Sequence, residues 1–552
     1  MKKWLIIICT LLLSLIYGCI GTTSITTTES SHESSTSSTA STTATTLNTS
    51  ALTTTTSGLS TYTTTTSALS TDTATTTAAS EIQPLTQNEV DSFKDENVAI
   101  SIVHGLSTSQ TILFDQYITA FEELYPNVDI QSQKSDSRSA FYLFANALSG
   151  GQPIEIALIN SSYLSSLQEY NLEDLNKYAY STASIADQQV GIDLAKLEAD
   201  FFTHSDQASE TSLYSIPFYR ESKIVYANRV MLKNAVTEIR SLGYTISDQG
   251  FLSREYQYTY DDMSVLSSLF SDKEMLMMEI DEASFETYIY QMNSSYIQQF
   301  DYVFDENKSV SLINYFRYLN SVQALTVPEV YDYSYASQFF TDQEIVMAES
   351  GGSSLNYFIG GLTPMNNDDT YEVDIFSQIQ LTRGTQTDSL VDTYISDLST
   401  GTVFTGFDFA ICNDSSNAEK FFSWLFIQYI NEMERNIDFC VNFNYFPIYE
   451  QSTMISESQT YSDILDLADE YLTSDGSPSW DLSDEKWSSV FKGLIQNAYL
   501  GNAQNIYKRE CSNQLANTIN SNNSLIEDMM ITIFNDNTNP VTMIQDLLNE
   551  LY

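Results

Sequence analysis

Two histidines, His104 and His204, lie where the chain has globular composition, and a third, His32, falls in a Ser/Thr-rich tract. A serine hydrolase needs a G-x-S-x-G elbow with a histidine partner, and the sequence has no such elbow. It has no H-x-x-x-H or C-x-x-C pair to hold zinc, and no G-x-x-x-x-G-K-[ST] loop to cradle a nucleotide phosphate. A glycosidase needs two carboxylates opposed across a bond, but with 72 acidic residues some pair is always close, so abundance indicates nothing. What remains is binding chemistry, with no catalytic residue, metal or cofactor expected. Its densest source is Leu213 to Arg229, LYSIPFYRESKIVYANR, where Tyr219 offers an aromatic face, Arg220 a bidentate donor and Ser222 a hydroxyl.

The surrounding residues say how that cluster is held. Pro217 fixes its own φ and pushes Ile216 towards an extended conformation, and Ile224, Val225 and Tyr226 favour a strand. A strand that leaves one compact unit and enters another places the cluster at a boundary, where small-molecule clefts prefer to lie. Upstream, Asn97 to Val103 reads as a strand and Ile112, Leu113, Tyr117, Ile118, Phe121 and Leu124 recur at helical spacing. Pro126-Asn127 stops that helix, and Val128 to Gln131 resumes strand character. The pattern repeats with a helix over 141–148, a buried strand over 154–159 and a helix over 163–167. His104, Asn160 and Ser161 each follow a strand, so they share the carboxyl edge of one sheet, where open α/β folds bind ligands. His104 is expected there as a neutral hydrogen-bonding group.

At this point the order of motifs resembles the extracellular solute-binding proteins of the maltose and glycerol-phosphate type, the receptors that feed ABC importers. FEELYPNVDI is similar to that family's first helix and following strand, and ALSGGQPIEIALINSSYLSSLQEYNLEDLNKY to its Gly-Pro strand and helix. LYSIPFYRESKIVYANRVMLKNA resembles its crossover. Phe339 to Met347 with the Gly/Ser run to Leu355 resembles the strand and loop closing the second lobe, and Thr402 to Cys412 a glycine-bearing strand of the return crossing. NFNYFPIY resembles its aromatic-proline turn, and Leu494 to Gly501 its C-terminal helix. The resemblance implies an α/β, two-lobed periplasmic-binding-protein-like fold of type II, each lobe a mixed sheet flanked by helices, with a hinge between the lobes. It places lobe 1 at 95–217 plus 358–412 and lobe 2 at 218–357 plus 413–552, with crossings near Pro217-Phe218, Gly351 to Leu355 and Cys412-Asn413. It also implies that Tyr219 and Tyr445 supply aromatic faces, Ser222, Ser353 and Ser354 hydroxyls, and Gly406 close backbone approach. Between 238 and 300, Tyr256, Tyr258 or Tyr260 would replace the tryptophan with which the family stacks a sugar, and Lys492 is the cation nearest the C-terminal helix. The implied function is capture of a sugar, oligosaccharide or related polyol and its delivery to ABC permease subunits. A surface adhesin with a receptor-like fold, or a receptor for a glycerol-phosphate-type ligand, is the alternative.

Charge and leader fit an exported protein. The formal net charge is -49, with no basic patch for phosphate neutralisation, which argues against nucleic-acid partners. Lys2 and Lys3 precede an apolar run from Trp4 to Ile16, too short to span a membrane and suited to a signal peptide over 1–18. Ile16-Tyr17-Gly18-Cys19 resembles a bacterial lipobox, which implies lipidation of Cys19 and anchorage on the extracellular face of the cell membrane. From 19 to 80 the Ser/Thr/Ala composition cannot bury enough surface to offset chain entropy, so this stretch reads as a disordered tether. Of the remaining cysteines, Cys412, Cys440 and Cys511, at most one pair can form a disulfide.

Overall fold

The protein is described here from a computed structural model, which covers residues 83–551 apart from 151–153, 165–166, 168–170, 203–211, 295–296, 299–300, 303–304, 360–372, 384–390, 392–393, 396, 474–483, 505, 508–527 and 536–537. The signal segment, Cys19, the Ser/Thr tract, His204 and Cys511 lie outside the described residues.

After a short helix, Gln87–Phe93, the chain runs through strand β1 (Val98–His104), helix α1 (Thr108–Leu124), strand β2 (Val128–Lys134), helix α2 (Ser137–Leu148) and strand β3 (Ile156–Asn160). Local chemistry sets these limits. Ser107 and Gln110 form a capping box at the start of α1, satisfying two amides that a helix start leaves unpaired, and Asp136 caps α2 through the Ser139 amide. After a long connection come β4 (Ile216–Glu221) and β5 (Lys223–Asn228), separated by Ser222 alone. Then follow α3 (Tyr260–Ser267), β6 (Glu274–Met278), α4 (Glu282–Gln291), α5 (Glu306–Ser321), β7 (Ile345–Gly351) and β8 (Val373–Ser377). The chain ends with β9 (Thr405–Ile411), α6 (Asn417–Ile430), α7 (Met433–Asn442), α8 (Gln459–Thr473), α9 (Asp484–Asn502) and α10 (Pro540–Leu551).

The strands build two principal sheets. The first has the order β2-β1-β3-β9-β4 and the second β8-β5-β7-β6. Both are mixed: β1 runs parallel to β2 and β3 while β9 is antiparallel to β3 and β4, and β7 is parallel to β6 but antiparallel to β5. The inner strands β3 and β5 are buried on both faces, and their successive side chains enter different cores because they alternate in direction. In β3, Ile156 and Leu158 enter a core built with α1, α6 and α7, while Ala157 and Ile159 face a core with Phe141, Phe144 and Leu148 of α2. In β5, Val225 and Ala227 face residues of α3, α4, α5 and α10, while Ile224 and Tyr226 face α8 and α9.

The sheets exchange chain three times: at Ser222, between Ser377 and Thr405, and between Asn442 and Gln459. These passages differ from the sequence-based boundaries. Residues 218–221 complete the first sheet because Phe218 and Tyr219 pack into its core, so the first crossing falls four residues beyond Pro217-Phe218. Strand β8 belongs to the second sheet although it lies within 358–412, and α6 and α7 cover the first sheet although they lie within 413–552. The segment expected as a strand from Phe339 starts as a short helix, Ser337–Thr341; Gln343 turns it with φ 57°, and only then does β7 begin. Residues 238–300 are not an appendage, since β6 is an edge strand of the second sheet.

Candidate functional site

The expected site residues fall into two groups. His104 is fully buried; its Nδ1 accepts the Leu106 amide at 3.3 Å, so Nε2 carries the proton and donates to Ser132 Oγ at 3.0 Å. Burial lowers its pKa to about 4, so the ring is neutral, but both nitrogens are used within the lobe. Asn160 Oδ1 accepts from the Ser162 amide at 2.9 Å and hydroxyl at 2.8 Å, an Asx turn at the end of β3. Arg220 is also buried, pairing with Asp408 at 2.5 Å and donating to the Tyr219 and Phe201 carbonyls. Tyr219 and Tyr445 stack on one another at 3.9 Å with 13° between planes, and Phe407 stacks with Tyr219 at 5.3 Å. Their faces are spent on each other. A Cβ at Gly406 would collide with the Tyr219 carbonyl oxygen, so this glycine lets β9 approach β4 beside the bulge at Phe407/Asp408. Of the proposed tryptophan substitutes, Tyr258 and Tyr260 are buried in the second lobe and Tyr256 packs against the same core. Lys492 donates to Asn442 Oδ1 at 2.8 Å.

Ser222, Ser353 and Ser354 come together elsewhere. They line a polar cavity of about 190 Å³ at the first crossing. The first sheet contributes Glu221 and Thr405, and the second Lys223, Ser350 and Gly351. Glu279, Asp281 and Thr287 enter from the end of β6 and from α4, and Gln378 and Val403 from the second crossing. Both sheets and two of the three passages therefore meet around one space. A larger cavity, about 410 Å³, lies among Ile216, Trp424, Ile427 and Tyr449, and none of the expected site residues lines it.

Hydrogen bonds fix the cavity wall. Ser353 donates to Glu221 Oε1 through its amide at 3.0 Å and its hydroxyl at 2.6 Å. Lys223 Nζ pairs with Asp281 Oδ2 at 2.8 Å, while Asp281 Oδ1 caps α4 by accepting the Ser284 amide at 2.9 Å. Glu279 accepts from the Ala336 amide at 2.9 Å and from Ser350 Oγ. Asn502 Nδ2 donates to Ser222 Oγ at 2.9 Å, so α9 pins the residue at which the chain passes from the first sheet to the second. Gln378, fully buried, donates through Nε2 to Glu349 Oε1 at 3.0 Å, while its own Oε1 receives no hydrogen bond.

Electrostatics favours a charged pair within an acidic wall. Burial works against both charged forms of the Lys223–Asp281 pair, but their attraction outweighs it, so the lysine pKa rises and the aspartate pKa falls. Burial raises the pKa of Glu221 against the opposing Ser353 hydrogen bonds. Behind the wall, Glu349 is raised to about 7 by burial, opposed by its bond from Gln378.

No protein-family model and no curated protein matches the sequence. Solved structures do match in fold. UgpB from Mycobacterium tuberculosis, in complex with glycerophosphocholine, superposes with a TM-score of 0.56 at 12% identity, over 82% of this chain and 97% of that one. An ABC substrate-binding protein from Listeria monocytogenes in complex with cycloalternan gives 0.54 at 12% identity, over 82% and 97%. An extracellular solute-binding protein of family 1 from Alicyclobacillus acidocaldarius gives 0.53 at 11% identity, over 83% and 98%. The chain has the two-lobed fold of the extracellular solute-binding proteins. In this chain the space where the two sheets meet is the cavity around Ser222. Sequence reasoning found three of its serines and missed Glu221, Lys223, Glu279, Asp281 and Gln378. A signal for two of these was present: Glu279 and Asp281 directly follow the apolar run Met275 to Met278, the place at the end of a strand where ligand-facing polar groups stand.

Proposed function

We propose that this chain is the solute-capturing receptor of an ABC importer, holding a small sugar or polyol between its lobes and presenting it to membrane permease subunits. The observation that carries the reading is the polar cavity at the crossing of the two sheets, on which Glu221 and Thr405 of the first sheet and Lys223, Ser350 and Gly351 of the second converge with Ser222, Ser353 and Ser354. Its serine and threonine hydroxyls, carboxylates and lysine offer the donors and acceptors that the hydroxyls of a sugar require. Closure follows from the topology. With three chain passages between the sheets, rotation at Ser222 and its neighbours brings Glu221 and Thr405 towards Lys223, Ser350 and Gln378 around the solute.

Export, lipidation at Cys19 and anchorage outside the cell membrane belong to the same proposal. Thermal unfolding of the purified protein against monosaccharides, oligosaccharides, polyols and amino acids tests the reading. A ligand at about 100 times its Kd adds about 2.7 kcal/mol of stability, seen as a raised Tm. If no sugar or polyol raises the Tm, capture of such a solute is refuted.

A further inference from the structure

Resting on that receptor reading, we propose that the buried polar face of α9 formed by Gln496, Tyr499 and Asn502 is the clamp of the inter-lobe hinge, and that Asn502 is the positioning residue that sets how far the cleft stands open. A spacing of three residues puts these side chains along one side of the helix, and all three are buried. Together they bond every passage between the sheets. Asn502 takes the first two: Nδ2 donates to Ser222 Oγ at 2.9 Å and to the Lys223 carbonyl at 2.7 Å, and Oδ1 accepts the Gln378 amide at 2.9 Å. Both amide hydrogens and the oxygen are engaged, so the side chain has one orientation. Tyr499 and Gln496 take the third passage. The Tyr499 hydroxyl donates to the Asn444 carbonyl at 3.0 Å, and Gln496 Nε2 to the Tyr445 carbonyl at 2.8 Å. Tyr499 also accepts the Gly352 amide at 3.2 Å, holding the loop that carries Ser353 and Ser354. Gly501 permits this approach, since a Cβ there would collide with Ser377 Oγ.

The first sheet begins immediately beyond two of these grips. Ser222 follows Glu221, the last residue of β4, and Tyr445 precedes Phe446, which exchanges backbone hydrogen bonds with Arg220 of β4 at 2.9 and 2.7 Å. Helix α9 itself packs on the second sheet, against Ile224 and Tyr226. Two fixed points, with the first lobe attached one residue past each, define an axis of rotation. That axis runs beside the end of α9, a span of about 9 Å from Gln496 to Asn502. A hinge is a few residues that absorb a change in φ and ψ. Because α9 holds their second-lobe side still, the bend is concentrated on the first-lobe side, at Glu221 and between Tyr445 and Phe446. Gln496, Tyr499 and Asn502 are not among the residues that line the cavity, so their effect on a solute runs through the setting of the lobes.

Distance distributions between two spin labels on the purified protein test this without a solute. The labels go on Glu123→Cys of α1 and Ser268→Cys beside α3, both exposed and one in each lobe, with Cys19 and Cys511 changed to serine. Cys412 and Cys440 are buried and stay unlabelled. Asn502→Leu, which keeps the volume and removes all three bonds, should shift and broaden the inter-lobe distribution of the unliganded protein. Tyr499→Phe, which keeps the ring and removes both hydroxyl bonds, should do so to a smaller extent. Val490→Ala removes apolar contacts of the same helix and no bond to a passage; it should lower the urea midpoint and leave the distribution as in the parent. The proposal is overturned if Asn502→Leu, folded by circular dichroism, keeps the parent's distribution, or if Val490→Ala broadens it as much. Should Asn502→Leu not fold, Tyr499→Phe decides on the same terms. Maltose added to the labelled parent tests the receptor reading separately: a shortened distance supports capture, and an unmoved one counts against maltose as the solute, while the clamp stands or falls on the unliganded arms.

Discussion

The two sheet edges that meet at the cleft use similar residue types to opposite ends. On the first sheet, His104, Arg220 and Tyr445 are polar and nearly or fully buried, and each is bonded within its own lobe. On the second, Lys223 and Gln378 are also largely enclosed while Asp281 stays partly exposed, and the edge keeps an unpaired acceptor on Gln378 and more acid than base. The lesson is that a polar residue at the right end of a strand is not thereby a ligand. What separates structure from site is whether its hydrogen-bonding capacity is already used.

The largest effect should come from breaking the first edge. Asp408→Ala leaves the Arg220 guanidinium buried without its carboxylate, and such a loss costs about 3–5 kcal/mol. Urea denaturation should show that fall, while Glu221→Ala, on the cavity wall, should cost under about 1 kcal/mol. Equal losses from the two would erase the contrast.

Next in size is a pH effect behind the second edge. The folded-state pKa of Glu349 lies at about 7 against an ordinary 4.5, with burial as the main cause. Between these values the native state holds a proton that the unfolded chain releases, so stability is fully present below about pH 4.5 and declines as pH rises to about 7. The difference is on the order of 3 kcal/mol. Glu349→Gln keeps an acceptor for Gln378 and removes the titration, so its stability should vary less over this window than that of the parent. An unchanged slope by urea denaturation at pH 5 and pH 7.5 would assign the pH dependence to other groups.

How much of this was legible in the sequence follows from the same contrast. Strand and helix order up to Asn160 was readable because β3 is apolar throughout and α1 has both a clear period and a stop at Pro126. The hinge neighbourhood was readable too, since Pro217 and the run Ile224 to Tyr226 mark strands on either side of Ser222. Lobe membership after 358 was not, because β8 and β9 look alike as short apolar strands, and pairing to β5 or to β3 is decided by long-range register. The site residues failed for a related reason. Tyr219, Arg220 and Tyr445 have the composition of a binding site, but the ring stack and the Asp408 partner come from segments about 190 to 230 positions away. Gln378, by contrast, carries no pattern at all; only the fold shows that its Oε1 is buried without a hydrogen bond.

The smallest effect sharpens the comparison most. Tyr445→Phe keeps the ring stacked on Tyr219 at 3.9 Å and removes only the hydroxyl that accepts from Gln110 Nε2 at 2.7 Å. If Tyr445 belongs to the sealed edge, the substitution should cost about 1 kcal/mol of stability and leave solute affinity unchanged within a factor of two. If instead affinity drops tenfold while stability holds, the stack opens to the ligand when the lobes close, and the first sheet contributes an aromatic face after all. Titration and denaturation of the same variant separate the two outcomes, because a change in the free protein alters its unfolding midpoint and a ligand contact alters its Kd.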